Sequence, residues 1–199
     1  MYDLNMDAAN ATSFVVTGDA GITFANGTQA ALTSMDASGV TATGAAGVVT
    51  FTANAAMNTA ITGGAGNDVL TGNSGNDTII GGAGTNTLVG GAGNDTITGG
   101  AGIEDITGGT GVDTMTGGGA VDTFIFGTAD SGYTITTIDS ITDFNTGGSD
   151  IIDLAAADNV AGASAAGTTN ATTDVAVAVG GKVTFAAADD TLAEMIVAL

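Results

Sequence analysis

The sequence predicts an all-β protein whose chain winds into a right-handed parallel β-roll, a form of β-solenoid. Two observations carry this prediction. The segment from Gly63 to Ile125 divides into seven consecutive nonapeptides without an insertion, and two positions of each nonapeptide hold side chains of constant character. A repeat of this regularity predicts stacked, nearly identical units in place of a single globular core.

The sixth and eighth positions of the nonapeptide define the two constant columns. The sixth holds a carboxylate or an amide in Asp68, Asp77, Asn86, Asp95, Glu104, Asp113 and Asp122. The eighth is apolar throughout, in Leu70, Ile79, Leu88, Ile97, Ile106, Met115 and Phe124. Each repeat therefore predicts a glycine-rich loop followed by a short strand whose middle side chain points inward. Such short strands need neighbours, so successive coils should stack about 4.8 Å apart.

The charge of the chain is strongly one-sided. There are 21 acidic residues and a single basic one, Lys182, which gives a formal net charge of −20. Hydrophobic residues nevertheless make up 44% of the sequence, more than a disordered acidic tail would carry. The chain should fold, and its carboxylates must then meet almost without cationic side chains. Metal ions from solution are the expected source of positive charge.

Composition also excludes several classes of partner. The chain has no Arg, so nucleic acid and anionic membrane surfaces are poor partners. No apolar stretch approaches the roughly 20 residues that span a bilayer, so membrane insertion is not predicted. Met1–Asn10 lack the basic and apolar regions of a Sec signal peptide. Without Cys, neither disulfides nor thiolate metal sites can form.

The acidic column is predicted to divide between two edges of the roll. If two nonapeptides complete one coil, residues 18 apart in sequence stack. One edge, the complete edge, then holds Asp77, Asp95 and Asp113; the other, the mixed edge, holds Asp68, Asn86, Glu104 and Asp122. Bare carboxylates about 5 Å apart repel by roughly 1 kcal/mol in water, and a cation between them reverses the sign. Oxygen-only ligands, with no His or Cys in the chain, favour Ca²⁺.

This pattern resembles the GGxGxDxUx repeat of the RTX proteins, most of all the C-terminal part of a bacterial RTX surface-layer protein. The resemblance implies a calcium-loaded parallel β-roll. Asn73 replaces a loop glycine on the complete edge. On the mixed edge Asn86 removes a charge, Glu104 is a methylene longer and Ala120 replaces a loop glycine, so calcium is expected to be weaker or absent at some positions there. The implied ligands are the sixth-position side chains and residues of the complete-edge loops, whose carbonyl oxygens take part: Asp68, Gly72, Ser74, Asp77, Asn86, Gly90, Ala92, Asp95, Glu104, Gly108, Thr110, Asp113 and Asp122.

A second resemblance covers the residues that follow the repeats. The run from Phe124 to Leu154 is similar to the segment that closes the roll in RTX proteases of the serralysin type. It implies a capping element, in a predicted region 126–199, with further calcium ligands among Asp143, Asp150 and Asp153. The alternative from the residues alone is that these are ordinary solvated or turn-capping Asp.

The segment 1–62 is predicted to extend the solenoid towards the N-terminus. Residues 31–62 are rich in Thr, Val, Ala and Gly in short alternating runs that suit strands. They resemble the solenoid-like segments that precede RTX repeats in bacterial surface-layer proteins. Ile61 falls in register with the apolar column, which predicts that the solenoid begins before Gly63.

The C-terminal part is predicted to contain a loop, a hairpin and a short helix. Residues 155–173 suit a loop, Asp174–Val179 and Lys182–Phe185 flank Gly180-Gly181 as a hairpin, and Asp189–Leu199 suit a short helix capped by Asp190. The ending EMIVAL resembles the uncleaved signals that type I secretion machinery recognises. The resemblance therefore implies a bacterial protein secreted to the extracellular space or the cell surface.

No catalytic function is predicted. The chain lacks His, Cys, Arg and any zinc or nucleophile motif, and Ser74 has no candidate base. The first hypothesis is a self-assembling surface-layer or matrix protein that folds and assembles when it meets extracellular Ca²⁺. Its expected partners are copies of itself, and cell-surface polysaccharide is a further candidate. The alternative is a non-catalytic secretion and folding module of a larger exoenzyme, toxin or adhesin.

Overall fold

The structure, a computed structural model, describes residues 2–3, 11–25, 31–54, 57–127, 139–144, 149–154, 176–178, 182–184 and 196–198. All regular structure in these residues is β. The strands are β1 Tyr2–Asp3, β2 Ser13–Gly18, β3 Ile22–Ala25, β4 Ser34–Val40, β5 Val49–Thr52, β6 Ala60–Thr62, β7 Val69–Ser74, β8 Thr78–Gly82, β9 Asn86–Ala92, β10 Thr96–Gly100, β11 Glu104–Thr110, β12 Thr114–Gly118, β13 Thr123–Phe126, β14 Asp139–Ile141, β15 Ile151–Leu154, β16 Ala176–Ala178, β17 Lys182–Thr184 and β18 Ile196–Ala198.

Two parallel sheets form the solenoid. The first sheet has the order β1-β3-β5-β7-β9-β11-β13-β15, and the second has the order β2-β4-β6-β8-β10-β12-β14-β18. Consecutive strands of the chain therefore alternate between sheets, so each coil contributes one strand to each. Within the repeats the register is a constant 18 residues, as in Leu70 opposite Leu88 and Ile79 opposite Ile97. The predicted β-roll of two nonapeptides per coil is confirmed.

The core is the apolar column that the sequence places at the eighth position. All seven of its side chains are fully buried between the sheets, together with Met35, Phe51, Ile61 and Ile141 from neighbouring coils. The flanking seventh and ninth positions point outward, and β-branched Thr is frequent there because it suits a pleated, half-exposed surface. Inward burial of one side chain per strand accounts for the stability of strands that would be too short alone.

The solenoid continues on the N-terminal side of the repeats, as predicted. Ile61 is buried and lies opposite Ile79, and β4 and β5 extend the two sheets through β6 and β7. Three aromatic rings stack at this end, with centroid distances of 5.1 Å between Phe14 and Phe24 and 5.8 Å between Phe24 and Phe51. The rings lie in coils that are longer in sequence than those of the nonapeptides, since Ile22 pairs with Val49, 27 residues later.

The residues that follow the repeats close the other end of the core. Strands β14 and β15 add one strand to each sheet, and Ile141 and Ile152 continue the inward columns of Met115 and Phe124. Phe144 is buried and its ring lies 6.3 Å from that of Phe124. The predicted capping role of this segment therefore agrees with its position in the structure.

The C-terminal predictions have different outcomes. Strands β16 and β17 pair antiparallel, with Val177 opposite Val183, as expected for the predicted hairpin. The predicted helix over 189–199 is wrong for Ile196–Ala198, which form β18 parallel to β14. The β-branched pair Ile196-Val197 favours a strand, and this strand pairs with the outer edge of β14, where the second sheet would otherwise end. The rest of that helix and the predicted loop at 155–173 lie outside the described residues. No described segment forms a helix of the length and apolar character that crosses a membrane.

Two residues that replace loop glycines have positive φ: Asn73 at 82° and Ala120 at 70°. This conformation costs an L-residue with a Cβ about 1–2 kcal/mol, but Asn tolerates it. Ala120→Gly should therefore raise the stability of the calcium-saturated protein by about 1 kcal/mol, or roughly 2–4 °C in the thermal midpoint. Differential scanning calorimetry in excess calcium measures this shift.

Asn73→Gly is the matched control. The Asn73 side-chain amide donates a hydrogen bond to the Ala53 carbonyl oxygen at 3.1 Å, which glycine would lose. This variant should gain no stability. A larger gain at position 73 than at position 120 would contradict the assignment of strain to Ala120.

Candidate metal centre

The complete edge is a ladder of carboxylates, each on the residue directly before a strand of the second sheet. Each aspartate accepts, through Oδ1, the backbone N–H of the sixth-position residue one coil earlier. The Asp77 N–H donates to Asp95 at 2.8 Å, the Asp95 N–H to Asp113 at 2.8 Å, and the Asp113 N–H to Asp139 at 2.9 Å. The predicted stacking of Asp77, Asp95 and Asp113 is thereby confirmed, and the side chains are buried.

The residues of the mixed edge lie at the start of the strands of the first sheet. At most steps a side-chain oxygen again accepts the backbone N–H of the sixth-position residue one coil earlier. The Asp68 N–H donates to Asn86 Oδ1 at 2.8 Å, the Glu104 N–H to Asp122 Oδ1 at 2.9 Å, and the Asp122 N–H to Asp150 Oδ1 at 3.0 Å. The step from Asn86 to Glu104 differs, because the Asn86 N–H binds the Ile103 carbonyl oxygen at 3.2 Å. All four predicted members of this edge are buried.

The second carboxylate oxygen of several ladder residues is buried and has no hydrogen-bond partner among the described residues. These atoms are Oδ2 of Asp77, Asp95 and Asp122 and Oε2 of Glu104. A buried ionised oxygen without a partner is unfavourable by several kcal/mol, and in proteins such groups pair with cations. The sequence offers one basic side chain, Lys182, against 21 acidic ones. The ladder therefore requires positive charge from solution.

The first glycine of each loop leaves room for these oxygens. At Gly90, a Cβ would collide with Asp95 Oδ2 and would lie 2.5 Å from the carbonyl oxygen of Gly108 in the next coil. Gly72 stands in the same relation to Asp77 Oδ2 and to the Gly90 carbonyl oxygen. A carboxylate oxygen and a carbonyl oxygen of the next coil thus converge beside each glycine, and any larger residue would fill that space.

The other predicted loop ligands also stack in register. Ser74, Ala92 and Thr110 lie opposite one another at the ends of β7, β9 and β11. The carbonyl oxygens of Ala92 and Thr110 accept hydrogen bonds of 2.8 Å from the N–H groups of Gly75 and Gly93 in the preceding coil. A carbonyl oxygen has two lone pairs, so one remains at each residue for a cation.

The arrangement fits calcium. Among the described residues no three acidic side chains gather at a single point, so each ion would take carboxylates from adjacent coils and complete its shell with loop carbonyl oxygens. Ca²⁺ accepts six to eight oxygen ligands in flexible geometry, whereas Mg²⁺ demands a tighter octahedron. When bound, calcium would supply the positive charge that joins one coil to the next.

The three predicted cap ligands occupy different environments. Asp150 is buried and extends the mixed edge by one step. Asp143 accepts hydrogen bonds from the N–H groups of Gly117 at 2.9 Å and Gly118 at 2.7 Å, so it caps the last described loop of the repeats. Asp153 is exposed on the outward face of β15, opposite Ile125. Calcium ligation by these three residues stays a prediction.

Asp139 was not among the predicted ligands, although it extends the complete edge by one step. It lies 26 residues after Asp113, so a search at a spacing of 18 misses it. A usable signal is the tetrad Asp139-Ser-Ile-Thr, which repeats the Asp113-Thr-Met-Thr pattern of carboxylate, hydroxyl, apolar residue and Thr. Similarity between whole strands, in addition to the interval, would have found it.

A parallel ladder of asparagines at the fifth loop position was also missed. Oδ1 of Asn58 accepts the N–H of Asn76 at 2.8 Å, Oδ1 of Asn76 accepts the N–H of Asn94 at 2.9 Å, and Oδ1 of Asn94 accepts the N–H of Val112 at 3.0 Å. These bonds run beside the carboxylates of the complete edge. They hold its loops together without charge.

Burial raises the pKa of the ladder carboxyls. For Asp77, burial and then the neighbouring Asp95 charge raise the pKa to about 6, against the opposing hydrogen bond from the Thr59 N–H. For Glu104, burial and then the Asp122 charge raise the pKa to about 8. Burial likewise raises the pKa values of Asp68, Asp95 and Asp122. Without calcium, protonation of these carboxyls therefore stabilises the folded chain relative to the unfolded chain.

The calcium-free protein should be most folded in mild acid. Because the folded pKa values exceed the unfolded values near 4, their favourable contribution is complete below about pH 4 and is lost as the pH rises through about 6 for Asp77 and about 8 for Glu104. Circular dichroism of dialysed, calcium-free protein between pH 4 and 8 should show a declining β signal. With saturating calcium the signal should stay constant from pH 6 to 8. A calcium-free β signal that rises with pH would contradict the raised pKa values.

Comparison with known families gives two matches. The family of the RTX calcium-binding nonapeptide repeat, in four copies, matches residues 62–97. The chain is an RTX calcium-binding protein. The serralysin C-terminal family of peptidase M10 matches residues 84–167, which include part of the RTX roll and its cap. Comparison with curated proteins and with solved structures found no match.

The two matches bear on cofactor, catalysis and location. Calcium is the cofactor of the RTX nonapeptides. The matched segments are non-catalytic: the repeats bind calcium, and the serralysin match concerns the part of that peptidase family that lacks the catalytic machinery. Both families are typical of proteins that bacteria secrete.

Proposed function

We propose that this RTX protein is a structural component of a bacterial surface layer or extracellular matrix whose copies assemble after calcium has folded them. In the calcium-poor cytoplasm the acidic chain stays unfolded and is exported by type I secretion machinery. Outside the cell, millimolar calcium fills sites of the affinity usual for extracellular modules, about 10⁻⁴ to 10⁻³ M. Binding and folding are then one event.

The observation that carries the proposal is an uncharged, hydroxyl-rich surface, the threonine face, on the outside of the second sheet from β6 to β14. Its side chains are exposed or half-buried, and eight of the ten are hydroxyls. By register they form two columns, one of Ala60, Thr78, Thr96, Thr114 and Ser140 and one of Thr62, Ile80, Thr98 and Thr116. Thr142, which follows β14, continues the second column through its hydrogen bond to Thr116.

Charge makes this face the favoured contact between copies. Chains with a formal charge of −20 repel one another over most of their surface, even when calcium offsets part of that charge. The outward face of the first sheet carries Asp105 and Asp153. Asp36 on β4 lies beyond one end of the threonine face, and the half-buried Asp143 follows Thr142 at the other end. Two copies can therefore meet at the threonine face without bringing carboxylates together.

The face is also suited to repeated, weak contacts. Thr has a stiff, β-branched side chain, so ordering it in an interface has a small entropic penalty. The hydroxyls of Thr116 and Thr142 already hydrogen-bond across strands at 2.7 Å. Five strands at about 4.8 Å span a patch smaller than the roughly 800 Å² per partner of a standard interface. Such a contact supports a lattice, in which many weak contacts add, better than an isolated dimer.

Thr98→Asp and Thr107→Asp test the proposal as a matched pair. Thr98 lies at the centre of the threonine face, and Thr107 occupies the equivalent outward position on β11 of the first sheet. At high protein concentration with excess calcium, wild type and Thr107→Asp should scatter light and form ordered arrays in electron micrographs. Thr98→Asp should fold, as judged by circular dichroism, but assemble at least tenfold less. Wild-type protein that stays monomeric under these conditions would contradict the proposal.

A second candidate function is the non-catalytic secretion and folding module of a larger exoenzyme, toxin or adhesin. The match of residues 84–167 to the serralysin C-terminal family favours it, because that segment accompanies a peptidase in the matched family. A calcium-loaded monomer that carries a fused passenger protein through type I secretion, and does not assemble, would support this candidate. Cell-surface polysaccharide is a further partner to test, by co-sedimentation of the calcium-loaded chain.

A further inference from the structure

The mixed edge contains one step at which an amide takes the place of a carboxylate. Asn86 is buried and lies between Asp68 and Glu104 in the ladder. Its Oδ1 accepts the Asp68 N–H at 2.8 Å, which is the role of carboxylate Oδ1 at the other steps. Because the Asp68 N–H is a donor, the amide atom that faces it must be oxygen. The other amide atom, Nδ2, is therefore a donor of fixed direction.

That donor points where the other loops have a carboxylate oxygen. A Cβ at Gly81 would lie 2.9 Å from Asn86 Nδ2, just as a Cβ at Gly90 would meet Asp95 Oδ2. Gly81 and Gly90 hold equivalent positions in the repeat, but the side-chain atom beside Gly81 is a hydrogen-bond donor and the one beside Gly90 is a carboxylate oxygen. A carboxylate oxygen attracts a cation, whereas the partial positive charge of an amide N–H repels one and offers no lone pair.

Glu104 completes the replacement. Its side chain is one methylene longer than the Asp found elsewhere, and its Oε1 accepts a hydrogen bond from Asn86 Nδ2 at 3.2 Å. Asp68, at the preceding step, has both carboxylate oxygens engaged, by the N–H groups of Val49 at 2.8 Å and Gly64 at 2.7 Å. From Asp68 to Glu104 the mixed edge is thus joined by direct hydrogen bonds.

We propose that Asn86 and Glu104 form a metal-independent joint in the RTX roll, in which the hydrogen bond from Asn86 Nδ2 to Glu104 Oε1 replaces the calcium ion between these two coils. Calcium binding on the mixed edge then begins at Glu104, whose Oε2 is buried, has no hydrogen-bond partner among the described residues and is available to the step towards Asp122. The complete edge, where Asp77 and Asp95 each keep such an oxygen, binds calcium at the same height of the roll. One edge of these coils closes without metal and the opposite edge closes with it.

This joint would make the calcium response of the roll stepwise. Because one edge of these coils is joined by hydrogen bonds when they form, they need calcium only on the opposite edge, so fewer ions must bind before they close. The stretch from Asp68 to Glu104 is then the place at which calcium-driven folding starts. The inference rests on calcium binding by the repeats and is independent of assembly between copies.

Reciprocal substitutions test the joint. Asn86→Asp restores a carboxylate in an otherwise regular loop, and Asp95→Asn introduces the same amide on the complete edge. Native mass spectrometry of monomeric protein in millimolar calcium should count more ions per chain for Asn86→Asp than for wild type, and fewer for Asp95→Asn. The calcium midpoint of folding should rise severalfold in both variants. Asn86→Asp loses the metal-independent joint, and Asp95→Asn loses a carboxylate ligand of the complete edge.

Each other outcome would overturn the inference. An unchanged ion count in Asn86→Asp would mean that the wild-type step already holds calcium or that this loop cannot bind it. Failure of Asn86→Asp to fold in calcium would mean that the loop is not equivalent to its neighbours. Glu104→Gln gives an independent reading: its amide oxygen can still accept from Asn86, so it should lose only the ion shared with Asp122. Because ion counts are measured on monomers, a failure of assembly would not affect them.

Discussion

Removal of calcium should unfold the RTX roll at neutral pH. The fold places Asp77, Asp95, Glu104 and Asp122 in the interior, each with a carboxylate oxygen that has no hydrogen-bond partner in the part of the chain that the structure describes. At 10 mM calcium, a site with a dissociation constant of about 10⁻⁴ to 10⁻³ M contributes about 1.4–2.7 kcal/mol. Several such sites supply a stabilisation comparable to the whole free energy of unfolding of an ordinary domain, about 5–15 kcal/mol.

Circular dichroism measures this transition directly. The chain in EGTA at pH 7.5 should show little regular structure, and addition of 10 mM CaCl₂ should restore a β spectrum. Magnesium at the same concentration is the matched control, because Mg²⁺ gives up its water reluctantly and requires a near-ideal octahedral shell, whereas Ca²⁺ accepts flexible geometry. A β spectrum that is the same in EGTA and in calcium would contradict coupled folding, and equal rescue by magnesium would contradict the choice of calcium.

The sequence predicted the fold of the nonapeptide region because the nine-residue repeat of the sequence is half of the 18-residue register between stacked strands. A period of nine places Leu88, Ile97 and Ile106 in the core and Asp95 on one edge, and no tertiary contact is needed to decide between alternatives. The same argument fails where insertions change the length of a coil. Asp139 belongs to the complete edge, but its interval of 26 residues hides it.

The hydrogen-bond roles of the edge residues could not be predicted from the sequence. Stacking alone predicts that carboxylates face one another, but each ladder aspartate also holds a backbone N–H of the coil before it. Asn86 reads as a weakened ligand in the sequence, whereas in the structure it is a fully bonded side chain whose partner is the longer Glu104. That pairing depends on how far the two side chains extend between stacked coils, 18 residues apart in sequence, and the aligned repeats do not show this.

The C-terminal strand shows a different limit. Residues 189–199 have the acidic start and apolar continuation of a short helix. Local propensity cannot reveal that β14 has an outer edge to which a further strand can pair. Ile196–Ala198 pair with that edge. Tertiary context outweighed the local signal.

Asp95→Ala should be the most damaging single substitution on the edges of the roll. Asp95 Oδ1 accepts the Asp77 N–H at 2.8 Å, and its Oδ2 faces the space beside Gly90. The variant leaves a buried N–H without a partner, which costs about 1–3 kcal/mol. It also removes a ligand from the calcium sites on both sides, each worth about 1.4–2.7 kcal/mol at 10 mM calcium. In a stack of nearest-neighbour contacts, this loss separates the coils before Asp95 from those after it.

The measurement is a calcium titration followed by circular dichroism, with ion counting by native mass spectrometry. Asp95→Ala should raise the calcium midpoint at least tenfold and bind fewer ions. Asp105→Ala is the matched control, because Asp105 is an exposed aspartate on the outward face of β11, and its removal should leave both quantities unchanged. Asn86→Ala should weaken the fold without lowering the ion count. If Asp95 and Asn86 gave equal losses of calcium, the two edges would be chemically alike, and the distinction between a complete edge held by metal and a mixed edge held partly by hydrogen bonds would be wrong.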